Sequence, residues 1–358
     1  MMFAARLKGV SGRGGVGVAS CAAFVVLVAA TCEARRTAAQ SASPAQAARP
    51  TPPPATTAAR VPPAPALAAP RGSGLPFGPP KLPRELFGKL FTSTKLEVSP
   101  DSILPTLTEV RASGMRVFII LVGSQQHYGN ADGTFNLAMW KARVDRFRHV
   151  DFSEFIADGT IIAHQLISEA KARKQFGGKL IPNDVLDEMA RHSKHLWPAM
   201  ATLLRTDPSE LEQNAAGYQT PLPGWKWTHL DAASARYLAR KGPVAKFATD
   251  EQASADRQNL ALVVGLNVFS GGDGSSGIRS PAQGKWAMSP AELRLYGSTL
   301  LSQTKPCGFE MWRYETPRSE FEDFQYFRRP DVGAAMVELA ALAARRPALP
   351  CARQQPPR

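Results

Sequence analysis

Residues 261–269 read Ala-Leu-Val-Val-Gly-Leu-Asn-Val-Phe, followed at once by Ser270-Gly271-Gly272-Asp273-Gly274. Side chains alternate across a strand, so Leu262, Val264, Leu266 and Val268 share one face and Ala261, Val263, Gly265 and Asn267 the other. One face is bulky and suits packing against helices. The other is small, with one polar group near its C-terminal end, and suits the interior of a narrow barrel opening onto a site. The glycines after Phe269 introduce a loop rather than a helix, so no dinucleotide-binding turn is present.

Working outward, the strand candidates are 89–96, 116–124, 160–168, 199–207, 226–231, 244–249, 261–269 and 308–315, eight in all. Between them segments of helical period cover 100–113, 135–157, 182–196, 232–241, 250–259 and 290–304, and 330–346 follows the last strand; 208–218 is a short, polar fourth helix. Ser99-Pro100 and Ser289-Pro290 place a capping residue before a first-turn proline, and Gly114 and Gly159 stand where helices end. Strict strand–helix alternation implies a parallel sheet, and eight units in this length predict a closed (β/α)8 barrel, a TIM barrel, over residues 81–352.

Before the barrel the composition changes. The chain has 358 residues and 30 prolines, twelve of them before residue 81. Residues 40–80 are rich in Pro and Ala, with few large apolar side chains, and read as a disordered linker. Residues 1–39 read as a signal peptide or lipoprotein signal: Arg6, Lys8 and Arg13 precede an apolar run from Val16 to Ala30. Cleavage before Cys32 would leave a lipidated N-terminus, with ordinary cleavage near Thr37-Ala38-Ala39 as the alternative. The chain is expected to be exported, to the periplasm or cell surface, and to meet a membrane only through that anchor.

The net charge of +13 divides along the same line. Residues 1–80 hold eight basic residues against Glu33, leaving 35 basic against 29 acidic residues in the rest. With its signs interspersed, that balance gives no support for nucleic-acid binding. Of four cysteines, Cys21 and Cys32 fall in the signal region. Cys307 should enter the eighth strand and Cys351 follows the last helix, both at the N-terminal face of the barrel, so a disulfide between them is expected. No cofactor or metal site is read: His192 and His195 lie three apart on the helical shell without further ligands.

In barrels of this kind reactive groups stand at the C-terminal strand ends. Those ends offer Lys95, His127 and Tyr128, Glu169, Arg205 and Asp207, Asp231, Asn267, and Trp312 with Glu315. Carboxylates, arginines and aromatics around one rim suit a polar, ring-shaped ligand such as a sugar. Glycosidic cleavage needs two carboxyl groups, for which Glu169 and Asp231 are the catalytic candidates. Arg205, Asn267, Trp312, His127 and Tyr128 are the binding candidates, Trp312 by stacking on a sugar ring. Each has a structural alternative: an ion pair between Glu169 and Arg205, a helix cap at Asp231, and loop support at Asn267.

The stretches 115–147, 158–170 (DGTIIAHQLISEA), 193–208 (SKHLWPAMATLLRTDP), 230–238, 260–272, 285–293 and 307–315 (CGFEMWRYE) carry a resemblance. The WP-x-M, GLN-x-x-x-GG and C-x-F-x-x-W-R-Y groups resemble an uncharacterised bacterial family of exported glycosidase-type (β/α)8 barrels, over roughly residues 86–346. The resemblance implies a carbohydrate ligand and a glycoside hydrolase-like domain. Where such sequences end the third strand in Asp-Glu-Pro, this chain has Ser168-Glu169-Ala170. Where the largest clan of barrel glycosidases carries Glu after strands four and seven, it has Arg205 with Asp207, and Asn267. The departures leave two expectations: an exported barrel that hydrolyses a polysaccharide or oligosaccharide, or a non-catalytic saccharide-binding or cell-envelope protein on a degenerate barrel, a monomer in either case.

Overall fold

In the computed structural model, which describes residues 74–212, 225–280, 284–314 and 325–353, strand and helix follow one another along the chain. The order is β1 (Phe77–Gly78), β2 (Ser93–Glu97), α1 (Pro100–Ala112), β3 (Arg116–Ile120), α2 (Leu137–Asp145), α3 (Ser153–Ala157), β4 (Ile161–Ser168), α4 (Asn183–Leu196) and β5 (Thr202–Arg205). Then come α5 (Pro208–Leu211), β6 (Ala232–Tyr237), α6 (Val244–Arg257), β7 (Ala261–Leu266), α7 (Pro290–Gln303), β8 (Pro306–Met311) and α8 (Pro330–Ala344). The eight strands form one parallel sheet in the order β1-β8-β7-β6-β5-β4-β3-β2. Its two ends approach each other: Phe77 pairs with Phe309 of β8, and the Thr92 N–H donates to the Phe77 carbonyl at 2.9 Å. The sheet is therefore a nearly closed barrel surrounded by helices, consistent with a (β/α)8 architecture.

Eight strands are found, but two differ from the sequence reading. The segment 244–249 is the first half of α6: Val244, Phe247, Ala248, Glu251, Ser254 and Ala255 are its buried positions, a helical spacing that a short window mimics as alternation. The sixth strand is instead Ala232–Tyr237, which the sequence reading gave to a helix, and 226–231 is the loop that leads into it. Its Ala-Ala-Ser-Ala-Arg-Tyr sequence favours a helix by local propensity. Burial on both faces between β5 and β7 overrides that preference. The missing strand is β1, so the barrel takes in residues before 81, inside the segment read as linker. The signal (1–39) and Cys32 lie outside the described residues, and no helix among the described residues is long and apolar enough to cross a membrane.

The pleat of β7 divides the core as its sequence predicts. Leu262, Val264, Leu266 and Val268 join the large apolar layer between strands and helices. Val263 instead joins Phe118, Ala163, Leu203 and Ala232 in a smaller cluster inside the barrel. Gly265 allows β7 to approach β8, since a Cβ there would stand 2.2 Å from the Glu310 carbonyl oxygen. On the shell, the Trp140 indole N–H donates to the Leu166 carbonyl at 3.0 Å and fastens α2 to β4. Ser289 and Glu292 form a reciprocal capping box at the start of α7.

At the N-terminal face Cys307 and Cys351 are joined in a disulfide with Cα atoms 5.2 Å apart. It ties the chain after α8 to the entry of β8. A cavity of about 730 Å³ lies beside this bridge. Of the carboxylates in its lining, Glu154 and Asp158 are both held by Arg111, at 3.0 and 2.7 Å. In barrels of this type this face stabilises, and the opposite face carries the chemistry.

Candidate functional site

The inward positions of the strands change from apolar to charged toward their C-terminal ends. Above the Phe118–Leu203–Val263 layer come Lys95 from β2, Gln165 from β4, Arg205 from β5, Ser234 and Arg236 from β6, and Glu310 from β8. Lys95, Gln165, Arg205 and Ser234 are all buried. A buried charge persists only with a partner. Lys95 Nζ meets Glu310 at 2.8 Å from Oε1 and 3.1 Å from Oε2. Between β2 and β8 stands only the two-residue β1, whose Gly78 is in register with Glu310. Burial pushes the Lys95 ammonium down to about 8 against the pull of Glu310, and Arg205 and Arg236 press it the same way.

Glu169 follows β4 directly, in the left-handed backbone region with φ +54°. A glutamate pays a steric cost there, and such residues concentrate at functional sites. Its N–H donates to the Arg205 carbonyl at 2.8 Å, which fixes the turn against β5. Its Oε1 accepts from Arg205 Nη2 at 3.1 Å and from Arg236 Nη2 at 2.8 Å, and Gln175 donates to Oε2. Burial raises the carboxyl, but Arg205, Arg236 and Lys174 together outweigh it and hold the group below the ordinary carboxylate range. Glu169 is thus an anion at neutral pH, and not a proton donor.

Both arginines also face Trp312, immediately beyond β8: Arg205 lies 4.9 Å and Arg236 5.4 Å from its ring centre, with Arg313 at 5.6 Å. The indole edges a cavity of about 610 Å³ at the C-terminal mouth, whose lining includes Lys95, Glu97, Tyr128, Gln165, Arg205 and Trp312. Several buried polar atoms here have no protein partner among the described residues: Gln165 Oε1, Arg205 Nε and Arg205 Nη1. Gln165 Nε2 is engaged, donating to Ser168 Oγ at 2.8 Å. Glu97, at the end of β2, is exposed and forms no ion pair among the described residues.

The residues expected at the mouth separate. Glu169, Arg205 and Trp312 come together. Tyr128 lines the same cavity; its ring packs edge-on against Phe135, and burial, with the nearby Glu97 charge adding, pushes its hydroxyl up to about 12. His127 is exposed on the adjoining turn and is not in the cavity lining. Asn267 supports its own loop, its Oδ1 accepting from the Ser270 N–H at 3.1 Å.

Asp231 requires a correction. It precedes β6 rather than ending a strand, and so stands at the N-terminal face. There it accepts from the Thr202 N–H at 2.8 Å and pairs with Lys194 at 2.7 Å, and the Arg353 N–H lies 3.3 Å from its other oxygen. It cannot act with Glu169 across one ligand. Glu315 lies outside the described residues.

The residues not singled out from sequence are Arg236, Glu310, Gln165 and Glu97. Strand parity was the available signal for three of them: Glu310 shares a face with Gly308 and Trp312, Gln165 with Ala163, and Glu97 with Lys95. Arg236 was hidden because its strand was read as a helix.

No protein-family model matches the chain, and no curated protein matches it. Among solved structures, it is similar to a GH113 β-mannanase from Alicyclobacillus acidocaldarius at 11% identity and TM-score 0.48, covering 78% of this chain and 100% of that one. A β-glucanase from Saccharophagus degradans aligns at 10% identity and TM-score 0.47, over 74% and 83% of the two chains. A β-mannanase from Streptomyces thermolilacinus aligns at 9% identity and TM-score 0.42, over 69% and 80%. These neighbours are glycoside hydrolases on barrels.

Proposed function

We propose that the protein is an exported saccharide-binding barrel that takes a polysaccharide or oligosaccharide in its C-terminal mouth. The observation that carries this reading is the set of unpartnered buried groups around the 610 Å³ cavity, an acceptor on Gln165 and donors on Arg205, beside the Trp312 indole. A sugar supplies hydroxyls that both donate and accept, and an apolar C–H face that suits an indole. Glu169 serves as a fixed anion that orients Arg205 and Arg236. Export is supported by the basic and apolar N-terminal pattern and by the Cys307–Cys351 bridge, since disulfides persist in oxidising compartments.

A hydrolytic version of the same reading is favoured by Glu97, an exposed carboxyl in the lining of the same cavity. It would donate the proton, and the ionised Glu169 would be its counterpart. The experiment is a panel of neutral and acidic glycans against the purified full chain, recording both thermal shift and released sugar. Stabilisation without release supports binding. Release that Glu97→Gln abolishes supports hydrolysis, and no response across the panel overturns both. N-terminal sequencing and mass of the mature protein from cell fractions test the export signal and the state of Cys32.

A further inference from the structure

We propose that the saccharide is acidic, a uronic-acid sugar whose carboxylate pairs with Arg205 at the mouth of the barrel. The inference rests on the saccharide reading and names its ligand class. Among the described residues lining the 610 Å³ cavity, Lys81, Lys95 and Arg205 are cations against the carboxylate of Glu97. Deeper in, Glu310 balances Lys95, but one carboxylate, Glu169, is shared by two guanidinium groups. The cluster of Arg205, Arg236 and Glu169 therefore keeps a positive charge.

Arg205 is where that charge is available. Its side chain is only 9% exposed, and one nitrogen, Nη2, is spent on Glu169. Nε and Nη1 find no acceptor among the described residues. Trp312 offers these N–H groups a π face but no lone pair. Burial, followed by repulsion from Arg236, presses the Arg205 guanidinium down to about 10 despite Glu169 and Glu310. An incoming carboxylate would relieve that repulsion and take up the unpaired donors through charge-assisted hydrogen bonds. Trp312 and Gln165 stand beside it for the ring face and hydroxyls of the same sugar.

The test is isothermal titration of the full chain with short oligogalacturonides, with the same oligosaccharides after reduction of their carboxyls to alcohols, and with inorganic sulfate and phosphate alone. The acidic form should bind ~10-fold or more tighter than its reduced counterpart, and its affinity should fall as salt rises. Arg205→Gln should remove the preference, and Lys81→Gln, at the exposed rim, should weaken the acidic form about 2-fold or more. If Arg205→Gln fails to fold, the Lys81→Gln variant and the salt dependence still decide. Equal affinity for acidic and reduced forms overturns this inference and leaves the saccharide reading standing. Binding of inorganic anions without either sugar, or of nothing at all, overturns both.

Discussion

Arg205 donates to Glu169 Oε1 at 3.1 Å while two of its three side-chain nitrogens have no partner among the described residues. Arg236, from the next strand, takes the same oxygen at 2.8 Å. One carboxylate oxygen thus bridges two buried or half-buried cations. That arrangement is poor acid catalysis, because the carboxyl is kept ionised. It is a good anchor, because it fixes two guanidinium groups at the edge of a cavity beside an indole.

Removing the anchor should cost more than losing a surface pair. In Glu169→Gln the two arginines lose the one carboxylate that pairs with both, and stability should fall by about 2–4 kcal/mol. Adding Arg236→Gln removes the repulsion and should restore part of that loss. Urea denaturation of the two single variants and the double variant checks this. Additive losses would show that the three groups do not act as a unit.

His164 sets an acid limit on the fold. It is buried behind β4, with Nδ1 at 2.8 Å from Ser193 Oγ and no partner at Nε2 among the described residues. Burial, with His192 adding, pushes its imidazole down to about 3. The unfolded chain protonates this group near its ordinary value while the folded chain does not. Its contribution is therefore complete above that value and declines as pH falls, approaching about 1.4 kcal/mol per pH unit until the folded value is reached. His164→Gln should show a shallower loss between about pH 6 and about pH 4.5 in urea midpoints. Parallel slopes would remove His164 as the cause.

The disulfide should matter for stability and not for ligand. Cys307 and Cys351 close an interval of 44 residues at the N-terminal face. Replacing both by alanine should lower stability by about 2–4 kcal/mol. Saccharide affinity, measured below the shifted melting temperature, should be unchanged because the mouth lies at the other end of the strands. A large fall in affinity would contradict that separation.

The barrel was legible because its bulk follows from periodicity. Strands such as β4 and β7 show their pleat in branched and small residues, and helices such as α7 carry their caps in Ser289 and Glu292. What escaped has local causes. β6 is built from alanine and serine, which only tertiary burial makes into a strand, and with it went Arg236. β1 has two residues, too few for any period. Asp231 was misplaced by the same shift, since ending a strand and preceding one put a carboxylate at opposite faces. Glu169, Arg205 and Trp312 were legible because their strands were placed correctly. The Glu169–Arg205 pair was legible with them, and only the second guanidinium on that carboxylate was not, because Arg236 lay on the strand read as a helix.

The most direct measurement is titration of the wild-type and Trp312→Ala full chains with a short oligogalacturonide and its carboxyl-reduced form. Wild type is predicted to bind at least one of them, and Trp312→Ala to lose about 10-fold or more in affinity while remaining folded by circular dichroism. Undiminished binding by Trp312→Ala, or no binding of either sugar by wild type, would contradict a saccharide site at the mouth of this barrel.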